Sequence, residues 1–583
     1  MTKLRIALAQ INVTVGDIEG NMAKIKAGLK QAADVGAQIV LFPELTLSGY
    51  PPEDLLLKPD FAKANRSALE ALLPETKGLT AIIGFVDRHD DLFNAVAVLH
   101  DGTLAGVYHK TFLPNYAVFD EDRYFAEGNT PILFELPLSD QATVTFGVSI
   151  CEDIWYPAGP PQAQAAAGAE LLLNISASPY QSGKIKYREQ MMAVRAIDDL
   201  AIVAFCNLVG GQDELIFDGS SLIVDEQGHL LAQGESFNEN FLVADVNIGN
   251  VFRQRLRDPR GRKNSLTSVY ADRFKRIMLN PCYGHDETTS STIPPQIANS
   301  LDDVAATYQA LVLGTRDYIR KNGFQKVTLG LSGGIDSSLV AAIAVDALGP
   351  ENVIGILMPS RYSSDHSKSD AAELAEHLGM NYQVVPIEPV YKAYLEVLAD
   401  SFANTELDVA EENLQSRTRG NILMALSNKF GWMVLTTGNK SEMAVGYATI
   451  YGDMAGGYAV IKDVPKTLVY ELCRYRNDHI GYAIPENVLI KPPSAELRPD
   501  QKDTDSLPDY DTLDAILSAY IEKEYSPAEI IKTGFDSATV NRIVQLVDRN
   551  EYKRRQAPPG PKITSKAFGK DRRLPITNRY RST

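Results

Sequence analysis

Residues Thr143–Pro157 read TVTFGVSICEDIWYP. An apolar run of strand-forming residues stops at Cys151, and two acids follow at once. A buried-type strand thus delivers a thiol at its end, and the flanking sequence repeats the strand pattern. LRIALAQINV, AQIVLFPEL, TAIIGFVD, FNAVAVLH, TLAGVYHK, AELLLNISASP, AIVAFCNLVG, SLIVDEQGHLL and FLVADVN are all short apolar stretches within the first 250 residues. Some are separated by helical periodicity. One such helix starts at Asp17, a predicted N-cap, with Ile18, Met22, Ile25, Leu29 and Ala33 on one face. Others are joined by hairpin-type turns at His100-Asp101-Gly102 and Glu226-Gln227-Gly228. Many strands with few helices between them predict a layered α/β sandwich with mixed sheets.

Around residues 279–300 the composition turns polar and rich in Pro, Ser and Thr, which predicts a boundary. The reading is a first domain over residues 1–275, a linker over 276–300 and a second domain over 301–583. In the second domain strands alternate with helices. A helix near 301–321 precedes KVTLGL, and helices from Asp336 and Asp365 separate NVIGILMPS from NYQVVPIEP. That rhythm predicts a doubly wound parallel sheet.

The chain has 583 residues and a formal charge of -17, so it carries no general basic surface for nucleic acid. No stretch reaches the roughly 18 uninterrupted apolar residues of a membrane span. The four cysteines, Cys151, Cys206, Cys282 and Cys473, form no CxxC pair and no zinc spacing. So few, scattered thiols fit a reducing cytoplasm better than a disulfide framework. Cys206 reads as core, Cys282 as a linker thiol and Cys473 as a helix residue.

KVTLGLSGGIDSSLVAAIAV, residues 326–345, is a strand, a glycine turn and a helix. Gly333 and Gly334 let backbone amides approach an anion, and the helix N-terminus favours phosphate. Ser332, Ser337 and Ser338 add hydroxyls. Asp336 is out of place beside phosphate unless a cation such as Mg²⁺ bridges the two. The lysine of an ordinary P-loop is missing. The run resembles the pyrophosphate loop of N-type ATP pyrophosphatases, within the adenine nucleotide alpha hydrolase-like fold. EENLQSRTRGNILMALSNKFG (411–431) and VLTTGNKSEMAVGYATIYGDMAGGYAVIKDVPKT (434–467) are similar to the NAD synthetase branch of that family. The resemblance implies ATP binding by Leu331, Ser332, Gly333, Gly334, Ile335, Asp336, Ser337, Ser338 and Thr437. It implies deamido-NAD⁺ binding by Asn413, Glu442 and Lys553, with Asp336 and Glu442 on Mg²⁺. From their surroundings alone, Asn413 reads as a helix-surface residue and Glu442 as a solvated helix-start acid. The glycine-rich run 446–457 reads as a mobile covering loop. Residues 553–583 carry ten Lys/Arg against one acid, Asp571.

In the first domain FPELTLSGYPPED (42–54), VYHKTFLPNY (107–116) and GVSICEDIW (147–155) each place one reactive residue beyond a strand, giving Glu44, Lys110 and Cys151. Taken one at a time they read as a helix-start acid, a surface lysine and a small core residue. Together the segments resemble the nitrilase family of carbon–nitrogen hydrolases, whose αββα sandwich agrees with the layered reading. The resemblance implies Glu44 as general base, Lys110 as oxyanion stabiliser and Cys151 as nucleophile, with Tyr116, Ser178 and Lys184 holding glutamine.

The two resemblances together imply ammonia release from glutamine and its use to amidate deamido-NAD⁺ after adenylation by ATP. They also imply a homo-oligomer and an internal passage for ammonia. Two other readings stay open: a GMP-synthetase-like amidotransferase, and a synthetase fed by free ammonia beside a first domain that is only a scaffold.

Overall fold

The computed structural model describes residues 3–139, 142–260, 274–281, 293–499 and 501–580. Two compact units divide the chain: Met1–Gln212 with Ile216–Leu301, and Asp302–Thr583 with the short piece Asp213–Leu215.

The first unit is built on two mixed sheets. Six strands run in the order Asn240–Asn247, Lys3–Gln10, Ile39–Leu41, Thr80–Arg88, Leu92–His100, Thr103–His109. Seven run in the order Leu230–Gln233, Leu222–Val224, Ile202–Asn207, Leu171–Ser176, Ala142–Ile150, Ile132–Ser139, Lys275–Met278. Side-chain alternation sets the layers. Leu4, Ile6 and Leu8 join Phe134, Phe146 and Val148 in one apolar cluster between the sheets. Ala7 and Ala9 turn the other way and pack with Ile25, Leu29, Leu69 and Leu72 of the helices Ile18–Asp34 and Pro59–Leu72. The second sheet is backed in the same way by the helices Pro160–Ala166 and Lys184–Asp199, through Ala165, Met191, Met192 and Ala196. The result is an αββα sandwich.

The helix predicted from Asp17 is capped by that side chain, which accepts from the Gly20 amide 3.0 Å away. Its buried stripe ends on Ala32 rather than Ala33, because the helix turns slightly more per residue than the sequence face implied. Part of the stretch read as linker is sheet. Lys275–Met278 pairs in parallel with Ile132–Ser139, and Ile297 bridges Gln233. Its alternation was hidden by charge, since Lys275 and Arg276 occupy an exposed edge. Cys282 lies outside the described residues.

The second unit holds an all-parallel five-stranded sheet ordered Asn381–Val384, Val353–Leu357, Val327–Gly330, Met433–Thr436, Tyr458–Ala459. The helix Ile335–Leu348 is apolar on all sides and almost wholly buried, as a helix inside a doubly wound layer must be. Ile356, Leu423 and Val434 join the sheet to the helix Val409–Phe430. A separate helical core gathers Met443, Met454, Leu513, Ile543 and Val547. Met454 and its partly buried neighbours Tyr447 and Ile450 therefore pack the run expected as a covering loop into that core. Among the described residues no helix is long and apolar enough to cross a membrane.

Candidate active site

Glu44 follows the strand Ile39–Leu41, Lys110 follows Thr103–His109, and Cys151 opens a 3-10 turn directly after Ala142–Ile150. All three are buried. Lys110 Nζ donates to Glu44 Oε1 at 2.7 Å and to both oxygens of Glu121 at 2.8 Å. Glu44 also accepts from Asn94 Nδ2 and, through Oε2, from the Ala177 amide, each at 2.8 Å. Its path is fixed by backbone packing. A Cβ on Gly84 would sit 2.4 Å from the Leu45 nitrogen and 2.5 Å from the Pro43 oxygen, so only glycine admits the Glu44 segment there. Cys151 itself has φ 42°, a left-handed value that holds the thiol on a sharp turn at the C-terminal end of an interior strand.

The electrostatics follow from this packing. Burial opposes charge on Lys110, but the carboxylates of Glu121 and Glu44 outweigh it and hold the ammonium well above the usual lysine range. Burial pushes Glu121 to about 7 against the pull of Lys110. Burial, then the Glu44 charge, keeps the Cys151 thiol protonated at rest, with Lys110 pulling the other way. Such a thiol needs a base beside it before it can attack.

Asp153 ties the arms together. It accepts from Tyr108 OH at 2.9 Å, from the Thr111 and Phe112 amides at 3.1 and 2.9 Å, and from the Ile150 amide at 3.0 Å. Those donors flank Lys110 and Cys151, so one carboxylate sets their separation. Tyr116 OH donates to Glu152, the neighbour of Cys151, at 3.0 Å. Lys184 Nζ donates to the Pro179 carbonyl at 3.0 Å, lies 5.2 Å from the Trp155 ring and is in the field of Glu152. Ser178 is buried, with its amide on Asn207 Oδ1 at 2.9 Å.

Glu121, Asn94 and Asp153 were not singled out from sequence. Asp120-Glu121-Asp122 reads as a solvated acidic run, and only the folding back of the loop after Lys110, into the 3-10 turn Glu121–Arg123, places Glu121 opposite Lys110.

In the second unit a cavity of about 320 Å³ opens beyond the strand Val327–Gly330. Leu331, Ser332, Gly334, Ile335, Asp336, Ser337, Thr437 and Glu442 line it. Gly333 and Ser338 lie behind that wall. Gly333 has φ 72°, and a Cβ there would stand 2.2 Å from the Ser367 oxygen. Ser338 Oγ donates to the Gly334 carbonyl at 2.9 Å and so fastens the turn. Asn413 Oδ1 accepts from Thr449 Oγ1 at 2.7 Å, and Lys553 Nζ donates to the Gly446 and Ala448 carbonyls at 2.8 and 3.0 Å. Both brace the segment 446–449, which carries the cavity-lining Tyr447.

Lys466 was not anticipated. Its Nζ bonds Asp336 and stands 3.6 Å from Glu442, so one buried ammonium serves two acids. Burial, then the Asp336 charge, raises Glu442 to about 8. Lys368, Arg419 and Lys491 add positive charge around the same cavity.

A buried thiol, ammonium and carboxylate on an αββα sandwich, joined in one chain to a glycine loop on a doubly wound sheet, define a carbon–nitrogen hydrolase unit linked to a nucleotide-binding unit. Residues 5–255 match the carbon-nitrogen hydrolase family and residues 307–557 match NAD synthase. The chain is 48% identical over 585 residues to the glutamine-dependent NAD(+) synthetase of Thermotoga maritima, covering 100% of both chains. It is 49% identical over 579 residues to that of Aquifex aeolicus, covering 99% of this chain and 100% of the relative. A solved glutamine-dependent NAD⁺ synthetase from Acinetobacter baumannii, in complex with adenosine diphosphate, aligns with TM-score 0.74 at 40% identity, over 100% of both chains. The chain belongs to the glutamine-dependent NAD(+) synthetase family.

Proposed function

We propose that the chain hydrolyses glutamine and uses the ammonia, with ATP, to convert deamido-NAD⁺ to NAD⁺. The observation that carries the reading is the Cys151 thiol on its strand tip, in the field of a Lys110 ammonium that is itself bonded to Glu44 at 2.7 Å. Glu44 takes the thiol proton as sulfur attacks the amide carbon of glutamine. Lys110 and backbone amides hold the oxyanion. Collapse breaks the C–N bond, Glu44 returns the proton to nitrogen, and ammonia leaves a thioester. Glu44 then deprotonates a water that attacks the thioester, and the Cys151 sulfur leaves and takes that proton back as glutamate is released. Tyr116, Ser178 and Lys184 hold the glutamine, Lys184 by pairing with the α-carboxylate.

In the second unit the turn 331–338 and Thr437 bind ATP, while Asn413, Glu442 and Lys553 serve deamido-NAD⁺, Asn413 and Lys553 by way of the segment they brace. The nicotinate carboxylate attacks the α-phosphorus and displaces pyrophosphate. Ammonia attacks the acyl-adenylate, giving NAD⁺ and AMP. Asp336 and Glu442 would hold Mg²⁺. Two carboxylates sharing one ammonium, with Glu442 raised to about 8, form an oxygen-donor site short of positive charge. The cation supplies charge neutralisation on the phosphates. A cytoplasmic homo-oligomer fits the small soluble substrates. Cys151→Ala tests the assignment: NAD⁺ formation from glutamine is lost, while formation from ammonium chloride is kept.

A further inference from the structure

We infer that Asp87, His89 and His109 form a zinc site at the rim of the first sheet, separate from the glutamine site. They are the one group of three His, Cys or acidic residues among those described whose ligand atoms all lie within 4.8 Å of one another. Asp87 Oδ2 is 2.8 Å from His109 Nε2 and 3.0 Å from His89 Nε2. Tetrahedral zinc with ligands near 2.0–2.1 Å sets its ligand atoms roughly 3.3 Å apart. Each Nε2 needs only a few tenths of an ångström more from Asp87 Oδ2 to reach that spacing, and the two nitrogens already lie within 4.8 Å of each other.

The site is organised before any metal arrives. Asp87 is 1% exposed, and its other oxygen is taken by the Arg88 amide at 3.1 Å and faced by Arg66 at 3.6 Å. Oδ2 is therefore the oxygen left to ligate, oriented as an outer-shell donor orients a carboxylate. His109 is clamped flat against Phe93, with ring centroids 4.1 Å apart and planes at 10°. His89 sits in the turn between the strands Thr80–Arg88 and Leu92–His100, and its side chain is 63% exposed. It is the exposed third ligand, and it gives the ion access. Two imidazoles and one carboxylate are a donor set for zinc, with water completing the fourth position. Magnesium and calcium prefer all-oxygen sites. The ion sits between Asp87 Oδ2 and the two Nε2 atoms, and it clips the turn to the strand that precedes Lys110.

The test is equilibrium dialysis of the full chain against low-micromolar Zn²⁺ with a weak competing chelator, followed by counting the retained metal. The thiols contribute equally in every variant. The wild type retains one zinc more than His89→Ala, whose exposed side chain can be removed without disturbing the core. Asp87→Asn loses the same ion. His229→Ala is the control, because His229 pairs with one carboxylate only, Asp225 at 3.1 Å, and its zinc count stays at the wild-type value. Equal zinc in the wild type and His89→Ala overturns the assignment. So does an equal loss in His229→Ala.

Discussion

Glu44→Gln separates the chemical task of that carboxylate from its structural one. Glu44 accepts three hydrogen bonds: two at Oε1, from Lys110 and Asn94, and one at Oε2, from the Ala177 amide. Glutamine has one acceptor oxygen and one amide nitrogen. With its oxygen toward Lys110 and Asn94 it keeps two bonds and sets its NH₂ against the Ala177 N–H. Turned around, it keeps one bond and faces an ammonium. The first arrangement wins, and one buried donor is left unpaired at a cost of about 1–3 kcal/mol. At the usual unfolding entropy of roughly 2 cal/mol/K per residue, the unfolding midpoint of the first unit falls by about 2–5 °C. The chemical loss is larger. Without a base the thiol stays protonated, and positioned general-base catalysis contributes about 10²–10⁴-fold, or about 2.7–5.4 kcal/mol of barrier. Glutaminase turnover measured at 20 °C, below the shifted midpoint, therefore falls by that factor, and NAD⁺ formation from ammonium chloride holds at the wild-type rate. A glutaminase rate within threefold of wild type, in a variant whose midpoint has shifted as expected, would refute the role given to Glu44.

Glu442 carries a proton below about 8, and a divalent cation must displace it. The apparent Mg²⁺ affinity of ammonia-dependent synthesis therefore tightens by up to about tenfold per pH unit below 8 and levels off above; a flat response between pH 6.5 and 8.5 excludes Glu442 as a ligand. Gly333→Ala forces a Cβ against the Ser367 oxygen at a φ of 72° and displaces the turn. Synthesis from either nitrogen source falls by about a hundredfold while glutamine hydrolysis persists, as separate assays of glutamate and NAD⁺ will read.

The strand-forming runs and glycine turns were legible because period-2 burial and tight turns are local properties of sequence. The alternation of Ile6 and Leu8 against Ala7 and Ala9 is enough to set two layers. The stretch Lys275–Met278 was illegible because an edge strand need not be apolar. Glu44, Lys110 and Cys151 could be read as three strand tips, and their segments resembled a family. Glu121, Asn94 and Lys466 had no such signal. Each is an ordinary polar residue whose partner no local pattern reveals: Glu121 meets Lys110 11 positions away and Tyr50 71 away, Asn94 meets Glu44 across 50, and Lys466 meets Asp336 across 130. Asp153 was visible beside the thiol, but nothing local tells that its carboxylate faces four donors from two strand ends.

The central claim is that the nitrogen entering NAD⁺ is released from glutamine by attack of the Cys151 sulfur on the amide carbon. The most direct measurement follows amide-¹⁵N-labelled glutamine into NAD⁺ by mass spectrometry, with ATP and deamido-NAD⁺, for the wild type and Cys151→Ala. The account predicts labelled NAD⁺ from the wild type, none from the variant, and unlabelled NAD⁺ from both when ammonium chloride is added. Labelled NAD⁺ from Cys151→Ala at the wild-type rate would contradict it.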